Sequence, residues 1–425
     1  MDSSFEGHTR ALREASKIMN AATPLPSKEA TRLASLDALR GFDMLWIVGG
    51  GAVASALEKM DSNGFTTFLT RQLTHATWEG FRFYDLIFPL FLFMVGVSMA
   101  ISVEKALSKG GGGAVIGRVV RRSVLLFSLG VFATGGFSKP WPDVALGGVL
   151  HRIAACYGFG TLIYVFVRRA WGLLAVSVVL LVGYWALVTY VPVPDLRLEK
   201  AVVEEIANRI GSRAPSAIAA SVSEVVTGSY AEGLNLTNYL DFRFMPGRKP
   251  QLYYLNEGLL STLPALALPL FGALAALLLR NPGVNSWRKV LWLGSAGVLA
   301  VSLGLLWSVQ FPLIKRIWTS SFVLVTGGTS ACLLAIFYAI IDVLGYRVWC
   351  RPFEWIGCNP LAIYLISPIV GFPTLANRLV GGDVRNALDH YVAAGLGGLV
   401  VAMTGLALVA LFARFLYQRG IFLRV

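Results

Sequence analysis

Ten stretches of mostly apolar residues, each near twenty residues long, recur along this chain of 425 residues. A bilayer's hydrocarbon core is about 30 Å thick and takes about twenty helical residues to cross. The runs fall at 39–57, 83–103, 118–137, 148–168, 171–191, 257–279, 288–309, 319–341, 354–372 and 392–417. Inside hydrocarbon every backbone polar group must be satisfied by the protein, which leaves helices or a closed barrel. The runs lack strict alternation of apolar and polar residues, so helices are expected. The fold class is all-α: a polytopic transmembrane helical bundle of about ten spans. The first run is the weakest, because Asp43 and Gly49-Gly50-Gly51 interrupt it.

Composition agrees. Apolar residues make up 56% and charged residues 14%, against about 25% charged in a typical soluble domain. Mean hydropathy is +0.64. The net charge of +13 would suit a nucleic-acid binder, but the basic residues cluster at helix ends, so no nucleic-acid partner is expected. Cys156, Cys332, Cys350 and Cys358 form no CxxC pair, and neither a disulfide framework nor a metal site is expected.

Orientation follows from lysine and arginine. With the N-terminus inside, 21 of the 37 lie on the inner side; of the remaining 16, seven sit in the long 192–256 segment, which the positive-inside rule counts poorly. Both termini are therefore expected to be cytoplasmic, in a multi-pass membrane protein. Residues 1–36 read as a polar cytoplasmic leader without a cleavable signal, and 37–425 as a single transmembrane domain. The 192–256 segment opens on Pro192 and Pro194 and continues through an amphipathic stretch, Leu196 to Ile210. It ends in a region rich in aromatics, including Tyr230, Tyr239, Phe242, Tyr253 and Tyr254. An ordered extracytoplasmic cap is expected there. Gly110-Gly111-Gly112-Gly113 reads as a flexible inside turn. It is not a phosphate loop, since no Gly-Lys-Ser/Thr follows.

Ionisable residues at membrane depth are costly and are functional candidates by default. His75, in Thr74-His75-Ala76-Thr77-Trp78-Glu79-Gly80, can take a proton near neutral pH; an interfacial histidine beside aromatic residues is the alternative. Asp85 follows ten residues later, as a catalytic carboxylate or a structural one. His151-Arg152, Asn256-Glu257 and Asn359, in Gly357-Cys358-Asn359-Pro360, open later spans and are candidate substrate contacts. Asp37, Arg40 and Asp43 share one helical face at the inner end of the first run. Arg118, Arg121 and Arg122 suit an anionic nucleotide or anionic lipid heads.

Several segments resemble the heparan-alpha-glucosaminide N-acetyltransferase family and its bacterial relatives. They begin with Arg32-Leu33-Ala34-Ser35-Leu36-Asp37-Ala38-Leu39-Arg40-Gly41. His75-Ala76-Thr77-Trp78-Glu79-Gly80, Asp85-Leu86-Ile87-Phe88-Pro89 and Val149-Leu150-His151-Arg152 follow. The last are Asn256-Glu257-Gly258-Leu259-Leu260-Ser261-Thr262, Trp318-Thr319-Ser320-Ser321 and Gly357-Cys358-Asn359-Pro360-Leu361. The His-x-x-Trp-x-Gly block followed by Asp-Leu-x-Phe-Pro is the most specific.

The resemblance implies a membrane acyltransferase that moves an acetyl group from cytosolic acetyl-CoA to an amino sugar or cell-envelope glycan on the outer side. His75 would serve as general base or acyl carrier, with Asp85 beside it. Trp78, His151, Arg152, Asn256, Glu257 and Asn359 would meet the acceptor, and Asp37, Arg40, Arg118, Arg121 and Arg122 the donor. Two departures stand out. Val48-Gly49-Gly50 stands where the family carries an asparagine late in the first span, and Leu255-Asn256-Glu257-Gly258 where it often has Asp-Pro-Glu-Gly. A non-catalytic subunit of a membrane complex keeping this fold, a homodimer, and a small-solute transporter are the other readings. Against the transporter, no internal repeat relates the two halves.

Overall fold

The computed structural model describes residues 33–60 and 64–423. Most of the leader and both chain ends, expected to be cytoplasmic, lie outside the described residues. The regular structure of the described chain is almost all helix. It opens with α1 (Ala34–Glu58), the short α2 (Gly64–Gln72), and the long α3 (Phe83–Ala133), α4 (Val149–Val167) and α5 (Ala170–Tyr190). Three short helices, α6 (Lys200–Ile210), α7 (Pro215–Ala220) and α8 (Leu236–Phe244), belong to the long loop. Then come α9 (Thr262–Ala265), α10 (Ala267–Arg280), α11 (Ser286–Trp307) and α12 (Ser320–Phe337). The chain ends with α13 (Arg351–Gly357), α14 (Pro360–Val370), α15 (Phe372–Val380), α16 (Asp383–Tyr391) and α17 (Leu396–Gln418).

The protein is a multi-pass membrane protein. Seven of its helices are long and apolar enough to cross a bilayer, or eight if the pair α13–α14, bent by 85°, is one span. Ten were expected. The two runs that fall short are α1, diluted by Asp37, Arg40, Asp43 and its glycines, and the second arm of α3, which carries Arg118, Arg121 and Arg122. The bend of α13–α14 falls where Gly357-Cys358-Asn359-Pro360 breaks the apolar run: Pro360 lacks an N–H, and Asn359 precedes it in a non-helical conformation. The sixth run starts later than expected. Asn256 and Glu257 sit in the turns before α9 rather than at a helix start.

The tetraglycine is not a loop, since helical backbone continues through it. Even so, α3 reverses direction. Along α4, His151 faces Gly130 and Gly158 faces Ser123, an antiparallel relation. Gly160 faces Met99 and the Tyr164 hydroxyl donates to Glu104 at 3.1 Å, a parallel one. The chain therefore turns back between Glu104 and Ser123.

The main core gathers Leu90, Met94 and Val97 of α3, Leu270 and Ala273 of α10, and Leu334 of α12, all buried. Small residues bring backbones together. A Cβ on Gly41 would stand 1.7 Å from the Phe353 carbonyl oxygen, and one on Gly357 1.8 Å from that of Asp37. Glycine at both positions lets α1 and α13 touch.

The 192–256 segment is ordered around its own small core. Leu196, Val203, Ile206, Phe242 and Tyr254 are buried together, so the amphipathic stretch turns its apolar face into the cap. A two-residue antiparallel pair, Val193–Pro194 with Val225–Val226, closes its base. Asp241 joins cap to bundle: it accepts from the Leu259 N–H at 2.9 Å and the Leu255 N–H at 3.2 Å. Burial pushes its carboxyl up to about 6, against the opposing pull of those two N–H groups and Arg152.

Candidate active site

Asp85 is fixed by the start of α3. Arg82 is the extended N-cap residue, and Asp85, at the third helical position, reaches back to its N–H at 3.1 Å. This is the return half of a capping box. The same carboxylate oxygen accepts from the Ala76 N–H at 3.3 Å, while the other lies 2.9 Å from His75 Nδ1. The Arg82 guanidinium donates to Thr74 Oγ1 and to the His75 carbonyl, each at 2.9 Å. The loop carrying His75 is thus tied down from both sides. The His75 ring rests on the Tyr84 ring with centroids 4.7 Å apart. Asp85 is fully buried while the His75 side chain is 51% exposed, so the imidazole has an anchored edge and an open one.

The third member was not foreseen. Lys315 Nζ lies 2.9 Å from His75 Nδ1, 3.2 Å from Nε2 and 3.5 Å from Asp85 Oδ1. It sits on a tight turn just before α12. Thr319 Oγ1 donates to the Pro312 carbonyl at 2.7 Å and accepts from the Ile314 N–H at 3.0 Å; Ser321 Oγ donates to the Phe311 carbonyl at 2.5 Å. Trp318 closes the turn at φ 53°, a left-handed conformation uncommon for a bulky residue. The turn docks on the histidine loop through the Gly80 N–H, which donates to the Leu313 carbonyl at 2.8 Å. Burial draws the Lys315 ammonium below the usual lysine range, and the charges of Asp85 and Glu257 pull it partly back. The available signal was Trp318-Thr319-Ser320-Ser321, whose hydroxyls hold this turn three residues after the lysine.

Glu257 belongs to the same neighbourhood. Burial raises its carboxyl above the ordinary range, opposed by Arg152, Lys315 and His75. Arg152 is buried and donates to the Gly258 carbonyl at 2.9 Å and to Ser261 Oγ at 2.6 Å, with its guanidinium 4.8 Å from the centre of the Trp318 ring. It braces the segment bearing Asn256 and Glu257. Asn256 Oδ1 is buried without a hydrogen-bond partner among the described residues. Trp78 Nε1 donates to the Tyr230 carbonyl at 2.9 Å, joining the histidine loop to the cap.

The remaining residues singled out in the sequence lie elsewhere. His151 turns away from Arg152 and packs edge-on against Phe127, ring centroids 4.6 Å apart, beside Gly130. Asn359 is at the end of the bundle opposite His75. Its amide donates to the Ile421 carbonyl at 2.8 Å, and its oxygen accepts from the Leu423 N–H at 3.0 Å. Asp37 pairs with Arg40 at 3.0 Å, and Arg40 also reaches Ser98. Arg122 lies 4.7 Å from the Tyr157 ring centre, and Arg118 and Arg121 are exposed. Asp37, Arg40, Arg118 and Arg121 lie toward the end of the bundle away from His75, while Arg122 stands near the middle of α4.

Residues 32–200 match the family model described as "Heparan-alpha-glucosaminide N-acetyltransferase, catalytic". A protein named heparan-alpha-glucosaminide N-acetyltransferase from Mus musculus is 22% identical over 98% of this chain and 66% of its own length. One of the same name from Homo sapiens is 23% identical over 79% of this chain and 52% of its own length. The chain spans between about half and two thirds of these curated relatives. The resemblance seen in the sequence is thereby borne out. The family match takes in His75, Asp85 and Arg152, while Glu257 and Lys315 lie beyond it.

Proposed function

We propose that this protein is a membrane acetyltransferase that takes its acyl group from acetyl-CoA and delivers it to an amine or hydroxyl of a sugar, with His75 as general base. The observation that carries the reading is the His75–Asp85–Lys315 constellation. Asp85 at Nδ1 favours the tautomer that leaves Nε2 as the basic nitrogen, on the open edge of the ring. An amine attacking the thioester carbonyl forms the new N–C bond in a tetrahedral intermediate, and the C–S bond breaks as that intermediate collapses. The proton lost by nitrogen passes to His75 Nε2 and from there to the departing thiolate. The Lys315 ammonium, alongside that nitrogen, is suited to steady the oxyanion of the tetrahedral intermediate. Asn256 and Glu257 supply polar groups for the acceptor.

The donor reading rests on charge. Arg118 and Arg121 are exposed toward the end of the bundle away from His75 and suit the phosphates of a CoA, with Asp37, Arg40 and Arg122 as further candidates for the donor. Across the 19 residues of α4 the two ends stand about 28 Å apart, so the thioester arm must enter the bundle to reach His75. With the inner membrane as its location and both termini cytoplasmic, the donor side faces the cytosol and the acceptor belongs to the cell envelope.

Transfer of labelled acetyl groups from acetyl-CoA by the purified protein to a panel of amino sugars tests the reading. Transfer by the wild type is expected, with His75→Ala slower by about 10²–10⁴. A His75→Ala protein as active as the wild type would remove the mechanism.

A further inference from the structure

A second site lies on the far side of α1 from His75. A cavity of about 580 Å³ opens between α1, α14, α15 and α17. Much of its wall comes from small residues at helical spacing. On α1 these are Gly49, Ala52, Ser55 and Ala56, with Lys59 beyond them; on α17 they are Gly398, Ala402 and Gly405, and Ser367 and Thr374 add hydroxyls. Two facing helices with such short side chains leave a groove between them. Phe372 and Leu406 add to its apolar wall, while Lys59 and Arg385 also line it.

The two cations share one end of the groove. Gly395 lies against the backbone of Lys59 and Met60, and Gly397 against Arg385. That is the His75 end of the bundle: Leu73, two residues before His75, packs with Leu57, Val53 and Leu406. Asp389 stands 3.6 Å from Arg385 Nε and also accepts from the Gly397 N–H at 2.7 Å. Lys59 and Arg385 are the two cations among the described residues that line the cavity. At the other end the groove closes among Ile47, Val48 and Val409, about midway along their helices.

An apolar trough half a bilayer deep, with cations at its mouth, matches one kind of molecule in both shape and charge. We propose that it is a binding site for an anionic phospholipid, whose headgroup phosphate sits between Lys59 and Arg385 and whose acyl chain fills the stripe of small residues. Water is a poor occupant of the apolar part, and a zwitterionic lipid lacks the net charge the rim selects. Tyr364, which lines the cavity, also lies near Glu257, so the test reads bound lipid rather than acetyl transfer, and its failure is distinct from a failure of the acetyltransferase reading.

The test is lipid retention. The full chain in detergent is equilibrated with mixed micelles of phosphatidylglycerol or phosphatidylcholine, and bound lipid is counted by native mass spectrometry. Preferential retention of phosphatidylglycerol is expected, weakening as salt is raised and falling about fivefold for each of Lys59→Ala and Arg385→Ala. Ala52→Phe, which fills the groove and leaves the cations in place, should expel the lipid. Elution as a monodisperse species of unchanged helical content identifies variants that have folded. Equal retention of the two lipids by the wild type, insensitivity to salt, or full retention by folded Ala52→Phe would overturn the proposal.

Discussion

Lys315 Nζ stands 2.9 Å from His75 Nδ1 although 240 residues separate the two in the chain. The meeting is built by two short loops, one closed by Arg82 and Asp85, the other by Thr319 and Ser321. Together they put an acid, a base and a cation within one hydrogen-bonded group at the edge of the bundle.

Replacing Lys315 separates charge from shape. Lys315→Met should lower kcat by about 10²–10³, the loss typical of one oxyanion donor, with less change in KM. Burial lowers the lysine's pKa, so its charge disappears as pH rises through a value below the usual lysine range. The wild-type rate should fall there, and Lys315→Arg, whose charge persists, should hold its activity to higher pH. Profiles of kcat from pH 7 to 10.5 for the three proteins decide it. Superimposable alkaline limbs would refute the role.

On the proposed function Asp85 has two duties, one in the capping box and one in catalysis, and they are separable. Asp85→Asn keeps a side chain at the third helical position but loses the negative charge that holds the imidazole. Activity should fall by at least tenfold, while stability drops by about 0.5–2 kcal/mol, the scale of a lost helix cap. Thermal unfolding measured beside acetyl transfer separates the two; a fall in activity matched by wholesale unfolding would count against the catalytic duty.

Asp241 predicts a pH dependence of opposite sign to the usual carboxylate. Its folded pKa, raised to about 6 by burial, lies above the unfolded value. The folded state therefore holds the proton more tightly, and this contribution to stability is complete below about pH 4 and lost as pH rises to about 6. Relative to Asp241→Asn, the wild type should lose melting temperature across that interval. Parallel melting curves of the two proteins from pH 4 to 7.5 would contradict the assignment.

The contact of α1 with α13 predicts a steric effect. Gly357→Ala must push Cβ into the Asp37 carbonyl, only 1.8 Å away. A loss of about 1–3 kcal/mol is expected, as for other overpacked sites. Gly183 of α5, where nothing lies within 4 Å of a Cβ, is the control: its alanine variant should unfold at or slightly above the wild-type temperature.

These residues also mark how far the sequence could be read. The apolar runs located most of the spanning helices, because hydrocarbon imposes length and composition directly. His75 and Asp85 were legible as a pair, being ten residues apart in one short block. Lys315 was not, because a polar residue between two apolar runs looks like any loop charge until its turn is folded onto the histidine. His151 and Arg152 were adjacent in sequence and were read together, but neighbours on a helix point about 100° apart. One therefore turns to Phe127 and the other to Ser261. Asn359 was legible as a helix break, while its partners, Ile421 and Leu423, are backbone groups that carry no sequence signature. The tetraglycine was read through its loop preference, and helix geometry prevailed over it.

The hydrogen bond from Trp78 to Tyr230 carries a mechanical consequence. It ties the cap to the ten-residue loop that presents His75, so neither can shift far without the other while that bond lasts. On the proposed function, an acceptor seated beneath the cap would be felt at the imidazole through the Trp78 indole.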